Sequence, residues 1–448
     1  MELLEGKMKG TPSPETISTK QQRIAKLVKE DKKRALNTLA HHIDIEWLKE
    51  AFGRTRKDGA PGIDGQTAGE YETQLEANLQ SLLNRAKSGE YRAPAVRRVH
   101  IPKGDGSQTR PIGIPTFEDK VLQRAVQMVL EPIYEQDFRN CSYGFRPGRS
   151  AHQALEDFWK QMMTMGGGWV VEVDIKSFFD KLNHSHLRQL LRKRVHDGVL
   201  LRLIGKWLNA GVQENGTISY PEAGTPQGGV ISPLLANIYL HEVLDEWVEG
   251  EVKPRLKGRA FLVRFADDFV LGFSKEEDAR RVMDVLPKRF GKYGLTLHPE
   301  KTRLLRFAPP HEDRQEATPE SFDFLGFNHH WGKSRKGRWA IKRTTAKGRF
   351  TRALKRVAEW CRVFRHQSLR EQHQHLSQAL RGHYGYYGIT GNSQALGRYA
   401  HEVQRVWKKW LARRSQRGMN WASFNRMMGR FALPPPRATH SVLRAANP

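Results

Sequence analysis

Residues 261–273 read Phe261-Leu-Val-Arg-Phe-Ala-Asp-Asp-Phe-Val-Leu-Gly-Phe273, two apolar runs that meet at a pair of adjacent acids. Apolar runs of this length are typical of short buried strands, so the pattern predicts a β-hairpin with Asp267 and Asp268 at its turn. Adjacent carboxylates repel each other unless a positive charge lies near them, and Mg²⁺ is bound in proteins by one or two carboxylates together with substrate phosphates. The alternative is a solvated turn, since Asp is a favoured turn residue.

A third acid follows another apolar run upstream. Residues 169–174 read Trp169-Val-Val-Glu-Val-Asp174, which predicts a buried strand that ends near the acid. A carboxylate at a strand end can meet the Asp267–Asp268 pair from a neighbouring strand. Three acids around two cations is the arrangement that phosphoryl and nucleotidyl transfer require. The alternative for Asp174 is a helix N-cap before Ser177, because Asp is a favoured capping residue.

Two loops have the composition of nucleotide-binding segments. The first reads Ala223-Gly-Thr-Pro-Gln-Gly-Gly-Val-Ile-Ser-Pro-Leu-Leu-Ala-Asn237; its glycines allow close backbone approach to a nucleotide, and the helix after it offers N–H groups. The second, residues 101–111, carries Lys103 and Arg110 on either side of a Gly/Asp turn, a pair suited to binding a triphosphate. The alternatives are an ordinary glycine-rich turn and a solvated basic hairpin.

The charge of the chain points to a polyanionic partner. The 448 residues carry a formal net charge of +27, an excess that has little purpose in a small-molecule enzyme. Its distribution is uneven: from Trp331 to Pro448 there are 26 lysines and arginines against three acids, a net charge of +23, which leaves +4 for the first 330 residues. At 38% hydrophobic residues the chain can build a sizeable core, so global disorder is excluded.

Cysteine use and hydropathy indicate a compartment. Cys141 and Cys361 are far apart and are the two cysteines of the chain, so no disulfide framework or cysteine-based zinc site is indicated, and a reducing compartment fits. No run approaches 18 apolar residues, which predicts no membrane span. The N-terminus has early acids and no apolar core, unlike a secretory signal. We therefore expect a cytoplasmic protein, in the cytosol of a bacterium or archaeon and associated with the nucleoid.

Helical patterns dominate both ends. From Gln21 to about Ala51 the pattern predicts a helix. In the basic third, two apolar stripes at helical spacing each lie among cations. The stripes are Phe350, Leu354, Val357, Trp360 and Phe364, then Val403, Val406, Trp407, Trp410 and Leu411. The cations that we expect to contact RNA are Arg349, Arg352, Lys355, Arg356, Lys408, Lys409, Arg413 and Arg414. Ordinary helices with solvated charge, or a disordered tail, are the alternatives.

Taken in order, these segments resemble group II intron-encoded reverse transcriptase/maturases across roughly residues 57–330, and the basic helical end extends the resemblance. The segments are Pro61-Gly-Ile-Asp-Gly65, Ile101-Pro-Lys103 with Arg110-Pro-Ile-Gly-Ile-Pro115, Ser142-Tyr-Gly-Phe-Arg-Pro-Gly-Arg-Ser150, the Asp174 strand, Gly224-Thr-Pro-Gln-Gly-Gly-Val-Ile-Ser-Pro233, Phe265-Ala-Asp-Asp268, Leu297-His-Pro-Glu-Lys-Thr302 and Phe324-Leu-Gly-Phe327. One departure is Phe265, where many members have Tyr; both rings can pack against a primer end.

The resemblance implies a role for particular residues. Asp174, Asp267 and Asp268 would be catalytic and would hold two Mg²⁺ together with the backbone carbonyl of Ile175. The incoming nucleotide would contact a set that comprises Lys103, Arg110, Phe179, Gln227 and Lys301. Within that set, Phe179 would be the steric gate that leaves no room for a 2′-hydroxyl, and Lys301 would assist pyrophosphate departure. Leu325, Gly326 and Phe327 would form the primer grip.

The resemblance also implies a fold and an activity. The fold would be an α/β right-hand polymerase, with fingers and palm, an antiparallel palm sheet and an α-helical thumb. The expected divisions are an N-terminal extension with the first conserved block (1–85), fingers and palm (86–335), thumb or maturase domain (336–415) and a short basic nucleic-acid-binding segment (416–448). The partners would be group II intron RNA, a DNA target or primer and dNTPs, with no membrane and with protein partners unknown. No endonuclease domain is expected, which would imply insertion without second-strand cleavage.

Other functions fit part of these patterns. One is a reverse transcriptase domesticated for phage defence or CRISPR adaptation, which the maturase-like end disfavours. Another is an RNA-binding splicing factor without polymerase activity, which the three intact acids disfavour. An RNA-copying RNA polymerase is disfavoured by Phe179. The expectation is an RNA-directed DNA polymerase that also assists splicing of its intron and copies it into DNA for intron mobility.

Overall fold

The described elements from Ile17 to Ser88 are helices, helices and strands are interspersed from Val96 to Thr345, and the last quarter of the chain is mostly helical. The computed structural model describes residues 16–31, 34–103, 108–220, 223–225, 228–310, 320–334, 336–414 and 418–440, with the side chains of residues 103 and 108 outside that description. The predicted combination of an α/β front with antiparallel strands and a helical, basic C-terminal part is confirmed.

The bounds of the elements are as follows. The helices are α1 Ile17–Glu30, α2 Ile45–Arg54, α3 Ala68–Glu72, α4 Leu75–Ser88, α5 Phe117–Tyr134, α6 Ala151–Met165, α7 Phe178–Lys181, α8 His184–Arg192, α9 Gly198–Leu208, α10 Ser232–Leu240, α11 Glu276–Lys292, α12 Lys347–Val363, α13 Leu369–Tyr387, α14 Ser393–Leu411 and α15 Trp421–Arg430. The strands are β1 Val96–Lys103, β2 Gln108–Ile114, β3 Gly168–Val173, β4 Val212–Glu214, β5 Thr217–Ser219, β6 Ala260–Phe265, β7 Asp268–Phe273, β8 Arg303–Phe307, β9 Phe322–Phe324, β10 Phe327–Lys333 and β11 Trp339–Thr345.

A central four-stranded sheet has the order β6-β7-β3-β8, and every neighbouring pair in it is antiparallel. Directly paired residues of antiparallel strands share a face. One face therefore carries Val263, Val270, Val170 and Leu305, which pack with α6 and the β9–β10 strands. The other face carries Leu262, Leu271 and Val171 and packs on α11. Burial on both faces explains why these strands read as continuous apolar runs.

The described residues form two further sheets, one of four strands and one of three. The order of the first is β2-β1-β4-β5, with β1 and β2 paired antiparallel from Arg97 opposite Ile114 to Lys103 opposite Gln108. The second is antiparallel with the order β11-β10-β9. Its aromatic residues Phe322, Phe324 and Trp331 belong to the same apolar cluster as one face of the central sheet. This cluster joins the three-stranded sheet to the central one.

The prediction of a continuous helix from Gln21 to about Ala51 is wrong, because α1 ends at Glu30 and α2 begins at Ile45. A distant acid explains the interruption. One carboxylate oxygen of Asp197 accepts hydrogen bonds from the backbone N–H groups of Leu39 and Ala40, at 2.7 and 2.9 Å, while the other caps the start of α9. These tertiary bonds hold the intervening backbone in a non-helical form, which the apolar spacing could not reveal.

The chain after α10 widens into π-helical turns at His241–Asp245 and Val248–Val252. In the first turn the N–H of Glu246 bonds to the carbonyl of His241, five residues earlier. Such turns insert an extra residue into a helix and frequently lie at functional sites. Here the first turn ends at Asp245, which is fully buried.

The C-terminal helices pack around the apolar stripes expected of them. Val357 on α12 and Val403, Trp407 and Leu411 on α14 are buried in one cluster. Phe424 of α15 joins the same cluster, 5.9 Å from the Trp407 ring centroid. No helix among the described residues has both the length and the hydropathy needed to cross a membrane.

Candidate functional site

The paired acids lie at a tight hairpin turn, as predicted. Phe265 at the end of β6 is opposite Asp268 at the start of β7, so Ala266 and Asp267 form a two-residue loop. Ala266 has φ +58°, and the turns favoured in two-residue hairpins likewise have a positive φ at their first central residue. Gly144 packs against this turn so closely that a Cβ there would lie 2.3 Å from the Ala266 nitrogen. The backbone of Gly144 therefore packs directly against this turn.

Asp174 reaches the same place from β3. Val173, the last residue of β3, pairs with Phe269, so the next step of the register puts Asp174 beside Asp268 on one face of the central sheet. Asp174 is not a helix cap: the N-cap of α7 is Ser177, which has φ +49° and no capping side-chain bond. The structure thus brings the three predicted acids together.

Electrostatic crowding marks these carboxylates. Desolvation by the surrounding protein and the charges of Asp267, Glu172 and Asp174 raise the pKa of Asp268 to about 7, although the residue keeps an exposed surface. Burial also raises the pKa of Asp267, while Arg110 opposes that rise and Asp174 adds to it. A raised carboxyl pKa beside other acids indicates a site that lacks enough positive charge in this arrangement.

One cation already touches the cluster. The Nζ atom of Lys301 is 3.1 Å from Oδ2 of Asp174, and both side chains remain about half exposed, at 63% and 47%. In this arrangement no group of three or more His, Cys, Asp or Glu side chains in the described part of the chain is placed to hold a metal ion. The donor types nevertheless suit a hard cation, since they are crowded carboxylates, two of which, Asp267 and Asp268, have raised pKa values. Ile175 also forms a β-bridge with Leu297. The hydrogen bonds of this bridge are made by the Asp174 carbonyl and the Lys176 N–H, so the bridge does not use the Ile175 carbonyl.

Phe179 lies on α7 against the glycine-rich loop. The N–H of Thr225 donates to the carbonyl of Phe179 at 2.8 Å, and a Cβ on Gly224 would lie 2.9 Å from the same oxygen. Gly224 has φ +96°, so both its conformation and this close approach require glycine. The half-buried Phe179 ring contacts Phe178 at a centroid distance of 5.3 Å. The loop therefore supports the backbone of Phe179.

Three further residues are expected to contact the nucleotide, and the structure fully describes one of them, Arg110. Arg110 lies on β2 with an exposed side chain, and its charge acts on Asp267. The side chain of Lys103 and the whole of Gln227 lie outside the described residues, so these two assignments stay predictions.

Leu325 and Gly326 form the turn between β9 and β10, next to Phe327, which pairs with Phe324. Leu325 has φ +49°, unusual for a residue with a side chain, and Gly326 has φ +82°. The hydroxyl of Tyr386 donates to the Leu325 carbonyl at 2.7 Å. Tyr386 and Arg349 are also electrostatic neighbours of Asp268. A strained turn anchored by the helical part therefore adjoins the acids.

The basic residues of the helical part lie mostly at the surface. Arg349, Lys355, Arg356, Lys409 and Arg413 are exposed, and Arg352, Lys408 and Arg414 are half-buried. Several cations lie over indole rings, with Lys408 Nζ 4.8 Å from the Trp421 ring centroid and Arg413 5.1 Å from that of Trp410. Arg414 differs, because it donates to backbone carbonyls of His366 and Gln367.

A buried network beneath the turn was missed by sequence reasoning. Arg264, fully buried on β6, donates two hydrogen bonds to Asp245, at 2.8 and 2.6 Å, and a third to the Ala266 carbonyl at 3.0 Å. It also donates to the side-chain oxygen of Asn237 at 2.9 Å. An arginine inside an apolar strand was the available signal, because such a cation has to find partners in the core. Glu172, two residues before Asp174 and on the same face, was likewise not assigned.

Comparisons with known proteins agree with this geometry. Residues 101–329, about half of the chain, match the family described as reverse transcriptase (RNA-dependent DNA polymerase). Protein YkfC of Escherichia coli K12 is 35% identical over 338 residues, which cover 67% of this chain and 84% of that protein. Group II intron-encoded protein LtrA of Lactococcus lactis is 45% identical over 186 residues, 42% of this chain and 30% of that protein. Nuclear intron maturase 2 of Arabidopsis thaliana is 29% identical over 177 residues, 31% of this chain and 24% of that protein.

Clustered carboxylates at strand ends of an antiparallel sheet, together with this match, define a nucleic-acid polymerase. The chain belongs to the reverse transcriptase family, the RNA-dependent DNA polymerases. The predicted enzyme class and the resemblance to group II intron-encoded proteins and intron maturases are confirmed. Reverse transcriptases as a family use divalent metal ions.

Proposed function

We propose that this chain binds the RNA of its own group II intron, assists the splicing of that RNA and copies it into DNA for intron mobility. The observation that carries the proposal is the convergence of Asp174, Asp267 and Asp268 on one side of the central sheet, next to a helical part with strong positive charge. The relatives named for introns support the choice of RNA.

In this proposal the architecture is that of a right hand. The central sheet would be the palm, the β1–β2 hairpin part of the fingers and the helices after Ala346 the thumb. The divisions are those expected from the sequence: 1–85, 86–335, 336–415 and 416–448. The packing of α15 against α14 supports a close association of the last segment with the thumb.

Two Mg²⁺ would be held by Asp174, Asp267, Asp268 and the carbonyl of Ile175. When bound, they would lower the pKa of the primer 3′-hydroxyl and stabilise the charge that develops on the leaving pyrophosphate. The crowded carboxylates with raised pKa values support this assignment. Lys301 now contacts Asp174 and would have to leave it for that arrangement to form.

The residues of the chain would orient the other reactants. Arg110, with Lys103, would bind the triphosphate and Gln227 would line the nucleotide pocket. Lys301, once released from Asp174, would donate a proton to the departing pyrophosphate. Leu325, Gly326 and Phe327 would support the primer strand.

The Phe179→Ala variant is expected to incorporate ribonucleotides about 10- to 100-fold more efficiently relative to deoxynucleotides, because the ring would no longer occupy the space of a 2′-hydroxyl. The measurement is the ratio of kcat/KM for dNTP and rNTP in primer extension. The adjacent Phe178, which is buried, offers a matched control. Phe178→Leu is expected to lower stability without changing the sugar preference, and an unchanged ratio in Phe179→Ala would remove the gate role.

The exposed basic residues of α12 and α14 would contact the phosphates of folded RNA. Each phosphate contact releases a counterion, so affinity depends steeply on salt. Indole rings beside Lys408 and Arg413 provide flat surfaces that unpaired bases can stack on.

Replacing Lys408, Lys409 and Arg413 by Gln is expected to reduce the slope of log K against log salt for intron RNA by about 2 to 3. Arg414 is left intact because it bonds the backbone. The control replaces three exposed cations of α11, Arg281, Lys288 and Lys292, which lies against the opposite face of the central sheet. Equal salt-dependence slopes in the two variants would mean that the positive charge at the C-terminal end of α14 and just beyond it only solvates the protein.

The whole proposal is tested by running primer extension on an RNA template beside a splicing assay on the flanking intron. Synthesis of cDNA together with protein-dependent splicing supports it. Synthesis without any effect on splicing would leave a polymerase with another role, such as defence. Splicing assistance without synthesis would indicate a splicing factor.

A further inference from the structure

A phenylalanine that no role described so far uses lies beside the acid-bearing turn. The side chain of Phe145 is 59% exposed, and its ring centroid is 6.3 Å from that of Phe265. Phe265 is directly opposite Asp268 in the register, so its side chain is on the same face as that acid. Phe265 therefore lies on the face where the carboxylates converge, and the Phe145 ring is its neighbour.

The backbone of Phe145 is strained. Its φ is +56°, a left-handed conformation that residues with a side chain adopt at a cost. Strain of this kind persists only where the surroundings over-determine it, and it concentrates at functional sites. Because Phe145 is 59% exposed, it gains little from burial that could offset such a cost.

The surroundings of Phe145 are rigid. The preceding segment pairs with β6 through Tyr143 N–H to Arg264 O and Arg264 N–H to Cys141 O, both at 2.8 Å. Asn237 donates to the Gly144 carbonyl at 2.7 Å. On the other side, the buried guanidinium of Arg146 donates to the Ser142 carbonyl at 2.8 Å and pairs with Glu135 at 2.9 Å. The ring is thus held out into solvent at a fixed place.

The position of the ring favours one occupant. The triphosphate needs cations, and Arg110, the cation of the β1–β2 hairpin, acts on Asp267. The primer strand supplies the attacking 3′-hydroxyl, so its last nucleotide has to lie at the acids. That nucleotide has no triphosphate for cations to bind, but its base can stack on an exposed aromatic ring. Arg349, an electrostatic neighbour of Asp268, would neutralise a phosphate of the same strand.

We propose that Phe145 extends the primer-end contact expected of Phe265, so that the two rings form an aromatic ledge that binds the 3′-terminal nucleotide of the primer strand. The proposal rests on the polymerase activity and deepens it, since it assigns a contact for the primer. Phe145 would act by holding the terminal nucleotide, so that its hydroxyl lies at Asp174, Asp267 and Asp268.

The test compares Phe145→Ala, Phe145→Asn and Phe145→Tyr. The asparagine variant removes the ring and tolerates the left-handed backbone, so it separates loss of the ring from a change of the loop. Primer extension gives separate KM values for primer–template duplex and for dNTP. We expect Phe145→Ala and Phe145→Asn to raise the KM for duplex about tenfold and leave the KM for dNTP unchanged, with Phe145→Tyr close to wild type. Tyr220→Ala, which removes another exposed ring, is the control.

A binding measurement without dNTP makes the outcome independent of catalysis. The probe is a DNA primer on an RNA template with 2-aminopurine at the primer 3′ end, whose fluorescence is quenched by stacking. We expect the complex with Phe145→Ala to be brighter than that with wild type. A change seen only with the probe in the template, a raised KM for dNTP alone, or no difference from wild type would overturn the ledge. A wild type that quenches the probe but makes no cDNA would instead contradict the polymerase mechanism.

Discussion

The Asp268→Asn variant is expected to lose cDNA synthesis by about 10³-fold or more, equivalent to at least ~4 kcal/mol of transition-state stabilisation, while becoming more resistant to thermal unfolding. The activity falls because a neutral amide cannot replace a carboxylate that would hold a divalent cation in the proposed mechanism. Stability rises because the carboxylate of Asp268 is confined among Asp267, Glu172 and Asp174. The same loss of synthesis is expected for Asp267→Asn.

The sign of the stability change follows from the pKa of Asp268, which is raised to about 7 in the folded protein. A raised carboxyl pKa means that the folded state binds the proton more tightly than the unfolded state does. The ionised group therefore costs stability progressively as pH rises from about 4 to about 7 in the absence of metal, by an amount that is constant at higher pH. We expect the Tm difference between variant and wild type to grow across that window and then level off.

The measurement is a melting curve at several pH values in EDTA and again with Mg²⁺. Addition of Mg²⁺ should raise the Tm of wild type more than that of Asp268→Asn, since ligand binding stabilises the folded state. Glu172→Gln is the matched control, because Glu172 lies on the same face but pairs with Arg303 at 2.7 Å. It should retain most of its synthesis. Equal losses in Glu172→Gln and Asp268→Asn would show that any relief of the acidic cluster impairs synthesis, which would sink the specific metal assignment.

A large loss of stability is expected from a change in the buried Arg264–Asp245 pair, which adjoins the acid-bearing turn. Asp245→Asn should lower the free energy of unfolding by about 3–5 kcal/mol, because Arg264 would remain buried without its counter-charge. Burial opposes ionisation of Asp245, yet the Arg264 guanidinium holds its pKa below the usual value. Both side chains are fully buried, so water cannot replace the lost interaction. Chemical denaturation followed by tryptophan fluorescence measures the change.

A double variant separates stability from catalysis. Arg264→Met with Asp245→Leu should recover much of the lost stability, since apolar residues often replace a buried ion pair at no cost. It should still synthesise cDNA about 10- to 100-fold more slowly, because the Ala266 carbonyl of the turn loses its donor. The control is Glu246→Gln, which removes the half-exposed bond to Arg139 and should cost about 1 kcal/mol or less. Full activity in the double variant would mean that Arg264 does not position the turn.

The hairpin that carries Asp267 and Asp268 could be predicted from the sequence because its signal is local. Apolar runs on both sides of Asp267 and Asp268 define two strands, and the run before Asp174 defines a third. Alternation along a strand then determines which residues share a face. The order of the strands needed the resemblance or the structure, since no local pattern says that β3 lies between β7 and β8.

The interactions that could not be predicted join residues far apart in the chain. The interruption between α1 and α2 depends on Asp197, more than 150 residues later. The partner of Arg264 is Asp245, on another element. The contact of Lys301 with Asp174 depends on a loop that returns to the end of β3. In each case tertiary hydrogen bonds or charges decide a feature that propensity and periodicity leave open.

The π-helical turn at His241–Asp245 makes residue count as important as residue identity. Asn237 and Asp245 both contact Arg264 although they are eight residues apart. In a regular α-helix two turns take about 7.2 residues, so the eighth residue would point well away from the first. The extra residue of the π turn restores the alignment. A one-residue deletion here would leave every side chain of the network intact and still turn Asp245 out of phase with the arginine, so the length of this segment itself helps to determine the geometry of the acid-bearing turn.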